Sequence, residues 1–146
     1  MLLKIVPLAE RLNPMKFICL GYCDESQFDS LAPDVVQAMM DDCMAYDDQL
    51  RQAGHFIRGE ALQSVRTNVS LELKAGQVVV TDGPYAETKE QLGGILFLEA
   101  RDLNHAIALM SKHPGIRFGH WEIRPADEAI NAMIAERAAT GTHADR

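Results

Sequence analysis

Val69–Tyr85, VSLELKAGQVVVTDGPY, is the stretch whose reading decides the fold. Val69, Leu71 and Leu73 alternate with Ser70, Glu72 and Lys74, the period of two that marks a strand with one wet face. Lys74-Ala75-Gly76-Gln77 is a short hairpin connection, and Gln77 to Thr81 returns as the partner strand. Asp82-Gly83-Pro84-Tyr85 then turns the chain sharply. Gly83 can take a positive φ, Pro84 fixes its own φ and restricts Gly83, and Asp82 can accept from backbone donors ahead.

Either side of this hairpin the chain repeats one pattern. Upstream, Met15 to Tyr22 (MKFICLGY) is a continuous apolar run that suits a central strand. Pro33 sits where the first turn of a helix tolerates it, with Ser30 or Ala32 near the cap. Val36, Met39, Met40, Cys43, Leu50 and Ala53 follow at helical spacing, and Gly54 supplies the stop. This predicts a helix of about five turns with a Met-rich buried face. His55 to Leu62 begins a second strand.

Downstream, Gly93-Gly94 releases the chain into a strand over Ile95 to Glu99. Asp102 is a good N-cap for a helix carrying Leu103, Ala106, Ile107 and Met110 on one face. Gly119 to Arg124 is the last strand, and Ile130, Met133 and Ile134 after Pro125 mark a short amphipathic helix. The order β-α-β, hairpin, β-α-β predicts an α+β fold: a ferredoxin-like antiparallel sheet, two helices on one face, and an inserted β-hairpin. The uncovered sheet face carries apolar residues that a second copy would bury, so a homodimer is expected. Residues 15–125 form the domain, 1–14 an N-terminal extension, and 126–146 a C-terminal helix and tail.

The 146 residues make one ordinary domain, with a core but no room for two. A formal charge of −7 and a pI near 5.1 disfavour nucleic acid as a partner, because a polyanion is repelled at long range. No apolar run approaches a transmembrane span, so no membrane association is expected. Cys19, Cys23 and Cys43 are too few and too irregular for a disulfide framework, and fit thiols in a reducing cytoplasm. His55, His105, His113, His120 and His143 show no metal-ligand spacing, and no P-loop or dinucleotide fingerprint occurs. Neither metal nor cofactor is expected.

The chemistry concentrates after the turn. Tyr85, Glu87, Lys89 and Glu90 place a phenol, two carboxylates and an ammonium within six residues, on a loop carried by a rigid scaffold. A carboxylate partly buried near Lys89 would serve as a general base, with Tyr85 donating a hydrogen bond. The same residues also read as a solvated charge run held by local ion pairs. His120, Glu122 and Arg124 alternate on one face of the last strand, with Trp121 and Ile123 on the other. Arg58 and Glu60 offer a similar polar pair on the second strand, and His55 and His120 are candidates to face a shared cavity.

The run DGPYAETKEQLGG, Gly59-Glu60-Ala61-Leu62 and the closing Glu122-Ile123-Arg124-Pro125 resemble the DGPF-domain proteins, a branch of the YCII-related family. Tyr85 stands where the family name has Phe, keeping the ring and adding a hydroxyl. The resemblance implies a dimeric α+β-barrel and, by analogy with suspected enzymes among YCII-like relatives, a His-Asp pair in a cleft between sheet and helices. Asp82 would stand in for that Asp. The first helix, where the His is expected, has none; Tyr46 and Asp47 are its nearest polar residues. The resemblance also implies a regulatory setting beside extracytoplasmic-function sigma factors.

Two functions follow. In one, a small polar ligand or substrate binds near Asp82, which acts as acid, base or anchor from a buried position, with Tyr85, Glu87 and Lys89 shaping the entrance and Glu90, Arg58, Glu60 and His120 available for binding. In the other, the chain is a non-catalytic partner of a sigma factor.

Overall fold

The computed structural model describes residues 13–84 and 86–141. Tyr85, His143 and most of the expected N-terminal extension fall outside the described residues. The elements are β1 (Met15–Cys23), α1 (Glu25–Asp29), α2 (Pro33–Gln52), β2 (Phe56–Ala61), β3 (Val69–Lys74), β4 (Gln77–Asp82), β5 (Gln91–Ala100), α3 (Leu103–Met110), β6 (Gly119–Pro125) and α4 (Glu128–Ala139). Single 3-10 turns occupy Val65–Thr67 and Pro114–Arg117.

Four strands form one antiparallel sheet in the order β2-β5-β1-β6, while β3 and β4 pair only with each other. This is the ferredoxin-like α+β arrangement with an inserted hairpin, and the sheet of the single chain does not close into a barrel. The hairpin turns at Ala75 and Gly76, both at positive φ (50° and 77°), the geometry that suits a two-residue connection.

The local chemistry explains the boundaries. Pro33 occupies the first turn of α2, whose N-cap Ala32 offers no side-chain acceptor, and Gly54 at φ 82° ends the run. Asp102 accepts from His105 N–H (2.8 Å) to cap α3, and Asp127 caps α4 through Ile130 N–H (2.9 Å). The short α1 is an element the sequence pattern does not announce. Its five residues are too few for a helical repeat, and Asp24 starts it by accepting from Ser26 N–H (3.0 Å). Gly93 and Gly94 lie inside β5 rather than before it.

Strand alternation sorts the sheet into two faces. Phe17 and Cys19 of β1 and Leu96, Leu98 and Ala100 of β5 face the helices and are buried with Leu50 of α2 and Ala106 and Met110 of α3. Each large side chain in this cluster contributes roughly 1.5–3 kcal/mol on burial. Burial also pushes the Cys19 thiol up to about 12. We therefore expect Cys19 to resist Ellman's reagent at pH 8 in the folded protein and to react on unfolding. Fast labelling of Cys19 in the native state would contradict the core assignment.

The Met-rich face of α2 departs from expectation: Met40 and Met44 are about half exposed (48% and 49%). The reason lies in the sheet opposite. Ala61, Gly94 and Gly21 are register partners in one row across β2, β5 and β1, so the sheet there has almost no side chains to meet the helix.

Candidate functional site

A cavity of about 500 Å³ lies where the loop after β4 meets the segment between β2 and β3. Its lining is rich in amides and hydroxyls, including Gln63, Ser64, Asn68, Thr88 and Gln91, with Pro84 and Glu90 from the signature loop. Hydrogen bonds frame these walls. Glu25 accepts from Ser64 Oγ (2.7 Å) and Val65 N–H (2.8 Å), and its own N–H donates to Gln91 Oε1 (3.3 Å). Gln91 Nε2 donates to Thr88 O (2.6 Å), which holds the loop against β5. Gly83, at φ 89°, donates its N–H to Asn68 O (2.7 Å), while Ser70 Oγ donates to Gly83 O (2.8 Å). The sharp turn is thus fixed by the neighbouring strand.

Beside this cavity stands a group assembled from three distant parts of the chain. Tyr22 at the end of β1 and His120 at the start of β6 are register partners, and their rings stack at 4.9 Å with an interplanar angle of 13°. The Tyr22 hydroxyl donates to Glu122 (3.3 Å), two residues along the same face. His120 Nδ1 meets Glu90 Oε2 at 2.5 Å. The His120 side chain is 58% exposed, and its Nε2 has no partner among the described residues. A carboxylate on Nδ1 orients an imidazole, leaving Nε2 to take or give a proton. The arrangement has the parts of an acid–base dyad.

The other expected site residues are dispersed. Asp82 ends β4 opposite Val69, is exposed, and makes no side-chain hydrogen bond to a described residue, in contrast to the buried position its expected role needs. Glu87 and Lys89 are exposed on the loop. Arg58 and Glu60 pair with each other at 2.6 Å on β2, the sheet edge opposite β6, with both side chains more than half exposed. Such a pair contributes about 1 kcal/mol at most. His55 does not share a cavity with His120: it contacts Glu99 O (2.9 Å) and the His105 ring at the far end of β5. Of the sequence-derived candidates that lie far apart in the chain, Glu90 and His120 are brought together.

A second pair was not foreseen. His113, 4% exposed, contacts Asp47 Oδ1 through Nε2 (2.9 Å), and its Nδ1 accepts from Gly115 N–H (3.0 Å). With Nδ1 accepting, Nε2 carries the proton and donates to Asp47. The rings of Tyr46 and Trp121 pack edgewise on the imidazole. A sequence signal did exist for Asp47. Counting from Cys43 and Leu50, it falls on the apolar stripe of α2, where a carboxylate needs a partner.

Comparison with known proteins places this geometry in a family. The model of the YCII-related domain matches residues 15–129, four-fifths of the chain, from β1 into α4 and including both pairs. The chain belongs to the YCII-related family. A relative from Rhizobium meliloti (strain 1021), described as an uncharacterized protein, is 32% identical over 117 residues. That match covers 76% of this chain and 91% of the relative. Among the described residues, no group of three or more acidic, His or Cys side chains is placed to hold a metal ion. No helix among them is long and apolar enough to cross a membrane.

Proposed function

We propose that this YCII-related protein, on its DGPY run a member of the DGPF branch, binds a small polar ligand in the cleft beside the signature loop. His120 would act there as the acid–base group. The observation that carries the reading is the His120–Glu90 contact, which orients the imidazole, with Glu90 itself on the wall of a cavity lined with amides and hydroxyls. Ligand sites commonly pair such a cavity with a few convergent polar groups. In this reading Asp82 shapes the turn that delivers Glu90, and Glu87 and Lys89 form the outer rim. An enzyme-like proton transfer is the chemistry these groups can perform; a pure binding role uses the same geometry.

The test is a two-dimensional amide and histidine NMR screen against a library of polar metabolites. A true ligand should shift the His120 ring and the amides of residues 86–92 together. Ligands that shift only residues elsewhere would overturn the proposal.

The same reading includes a homodimer through the sheet face that bears Tyr22 and His120. Its centre carries Ile18, Leu20, Ile95 and Phe97, and the hairpin leaves Val69, Leu71, Leu73, Val78 and Val80 exposed on one side (52–70%). Light scattering should give a mass of about twice 16.2 kDa; a monomer at micromolar concentration would contradict this part.

A sigma-factor partner is the second reading. It is favoured by the apolar stripe of α4, where Ile130, Met133 and Ile134 are 55–69% exposed on an acidic chain.

A further inference from the structure

The face of the sheet turned toward the helices has a chamber of its own, of about 430 Å³, between β1, β2 and β5 on one side and α2 on the other. It exists because of the row of small residues. Ala61, Gly94 and Gly21 leave the sheet bare, and the ring of Trp121 folds over Gly21, where a Cβ would stand 2.9 Å from Cζ3. The walls are mostly apolar and aromatic, with Met40, Met44, Phe56 and Phe118 among them.

Into this apolar space projects one fixed carboxylate. Asp47 is held through Oδ1 by a His113 that is itself almost wholly buried, while the Asp47 side chain keeps 26% exposure. Its Oδ2 has no partner among the described residues, and His113 is the only basic group within ion-pair distance of it there. As the neutral Nε2–H tautomer, His113 orients the carboxylate without cancelling its charge. Both imidazole nitrogens are occupied, so the base presented to the chamber is the Asp47 oxygen.

We propose that this chamber binds a small apolar amine in its ammonium form, the cation on Asp47 Oδ2 and the hydrocarbon or aromatic body over the glycine floor. An anion is excluded by the uncompensated charge of Asp47. Asp47 and the Arg58-paired Glu60 are too few ligands for a metal ion, whereas aromatic walls with one unpaired carboxylate oxygen suit an organic cation. The Trp121 ring lies on the opposite sheet face from the His120 ring, although Tyr22 and His120 also border the chamber, and the proposal does not rest on the His120 reading.

The experiment uses Trp121, the only tryptophan of the chain, as reporter. The full-length protein is titrated with phenethylamine hydrochloride and with 2-phenylethanol at pH 7.5. A saturable change in Trp121 fluorescence is expected with the amine, with the alcohol at least about tenfold weaker, the worth of a charge-assisted hydrogen bond. Asp47→Asn should lower amine affinity by about tenfold. Ala61→Leu, which fills the chamber without touching the dyad, should abolish binding while thermal unfolding stays cooperative. Equal affinity for amine and alcohol, amine binding unchanged in Asp47→Asn or Ala61→Leu, or no saturation at millimolar amine would each overturn the proposal. If Asp47→Asn does not fold, Ala61→Leu decides alone.

Discussion

Gly119→Ala is expected to destabilise the protein by about 3 kcal/mol, at the upper end of what overpacking costs. A Cβ at Gly119 would fall inside the carbonyl of Tyr22, with Cys23 Cα only 3.0 Å away. Those atoms are backbone of β1, so no side chain can move aside to make room. The first pair of the β1–β6 ladder, Cys23 with Gly119, would have to open. His120 is the next residue, and its stacking on Tyr22 depends on that pairing. Urea unfolding should therefore show a lower midpoint with an unchanged slope. The His120 ring resonances should also lose the upfield shift that stacking on Tyr22 imposes. A change below about 0.5 kcal/mol, within the range of ordinary surface substitutions, would mean that β6 does not sit against β1 as described.

The second large effect is expected at His113. Replacing it by alanine removes a buried ring, the acceptor for Gly115 N–H and the donor to Asp47, along with edgewise contacts to Tyr46 and Trp121. Loss of packing and of two hydrogen bonds, one of them to a carboxylate, should cost about 3 kcal/mol. Asp47→Asn should cost only about 1 kcal/mol, because the amide oxygen still accepts from His113 Nε2–H. This ordering is the informative part. An Asn substitution more damaging than the loss of His113 would show that charge, and not the hydrogen bond and the packing, holds this corner together. Equilibrium unfolding of the two variants under one set of conditions measures it.

How far the residues disclosed this structure depends on the range over which each signal acts. Alternation in Val69–Lys74, the helical repeat from Val36 to Ala53 and the acceptors at Asp102 and Asp127 act within a few residues, and the elements they predict are present. The short α1 escaped because five residues carry no period. The half-exposed Met40 and Met44 escaped because their burial is decided by Gly21, Gly94 and Ala61, residues that meet only through strand register. For the same reason the density of charge after the turn drew attention to Asp82, Glu87 and Lys89, which the fold leaves exposed. Glu90 belongs to that same run, but its distinction comes from His120, thirty residues on and in another strand. Tyr22 read simply as the end of an apolar run, and its partnership with His120 required the antiparallel pairing of β1 with β6. Asp47 is the instructive exception. Its place on the apolar face of α2 was legible, although its partner in the segment after α3 was not.

The account turns on which acidic residue of the signature loop serves the site. Once a polar ligand has been identified by NMR, calorimetry on Asp82→Asn and Glu90→Gln, side by side with the unmodified protein, tests this directly. Glu90→Gln should weaken binding at least about tenfold, because the imidazole loses the charged acceptor that orients it. Asp82→Asn, at an exposed position with no hydrogen bond to a described residue, should stay within about twofold. The reverse pattern, with Asp82→Asn abolishing binding and Glu90→Gln neutral, would contradict the assignment of the site to His120 and Glu90.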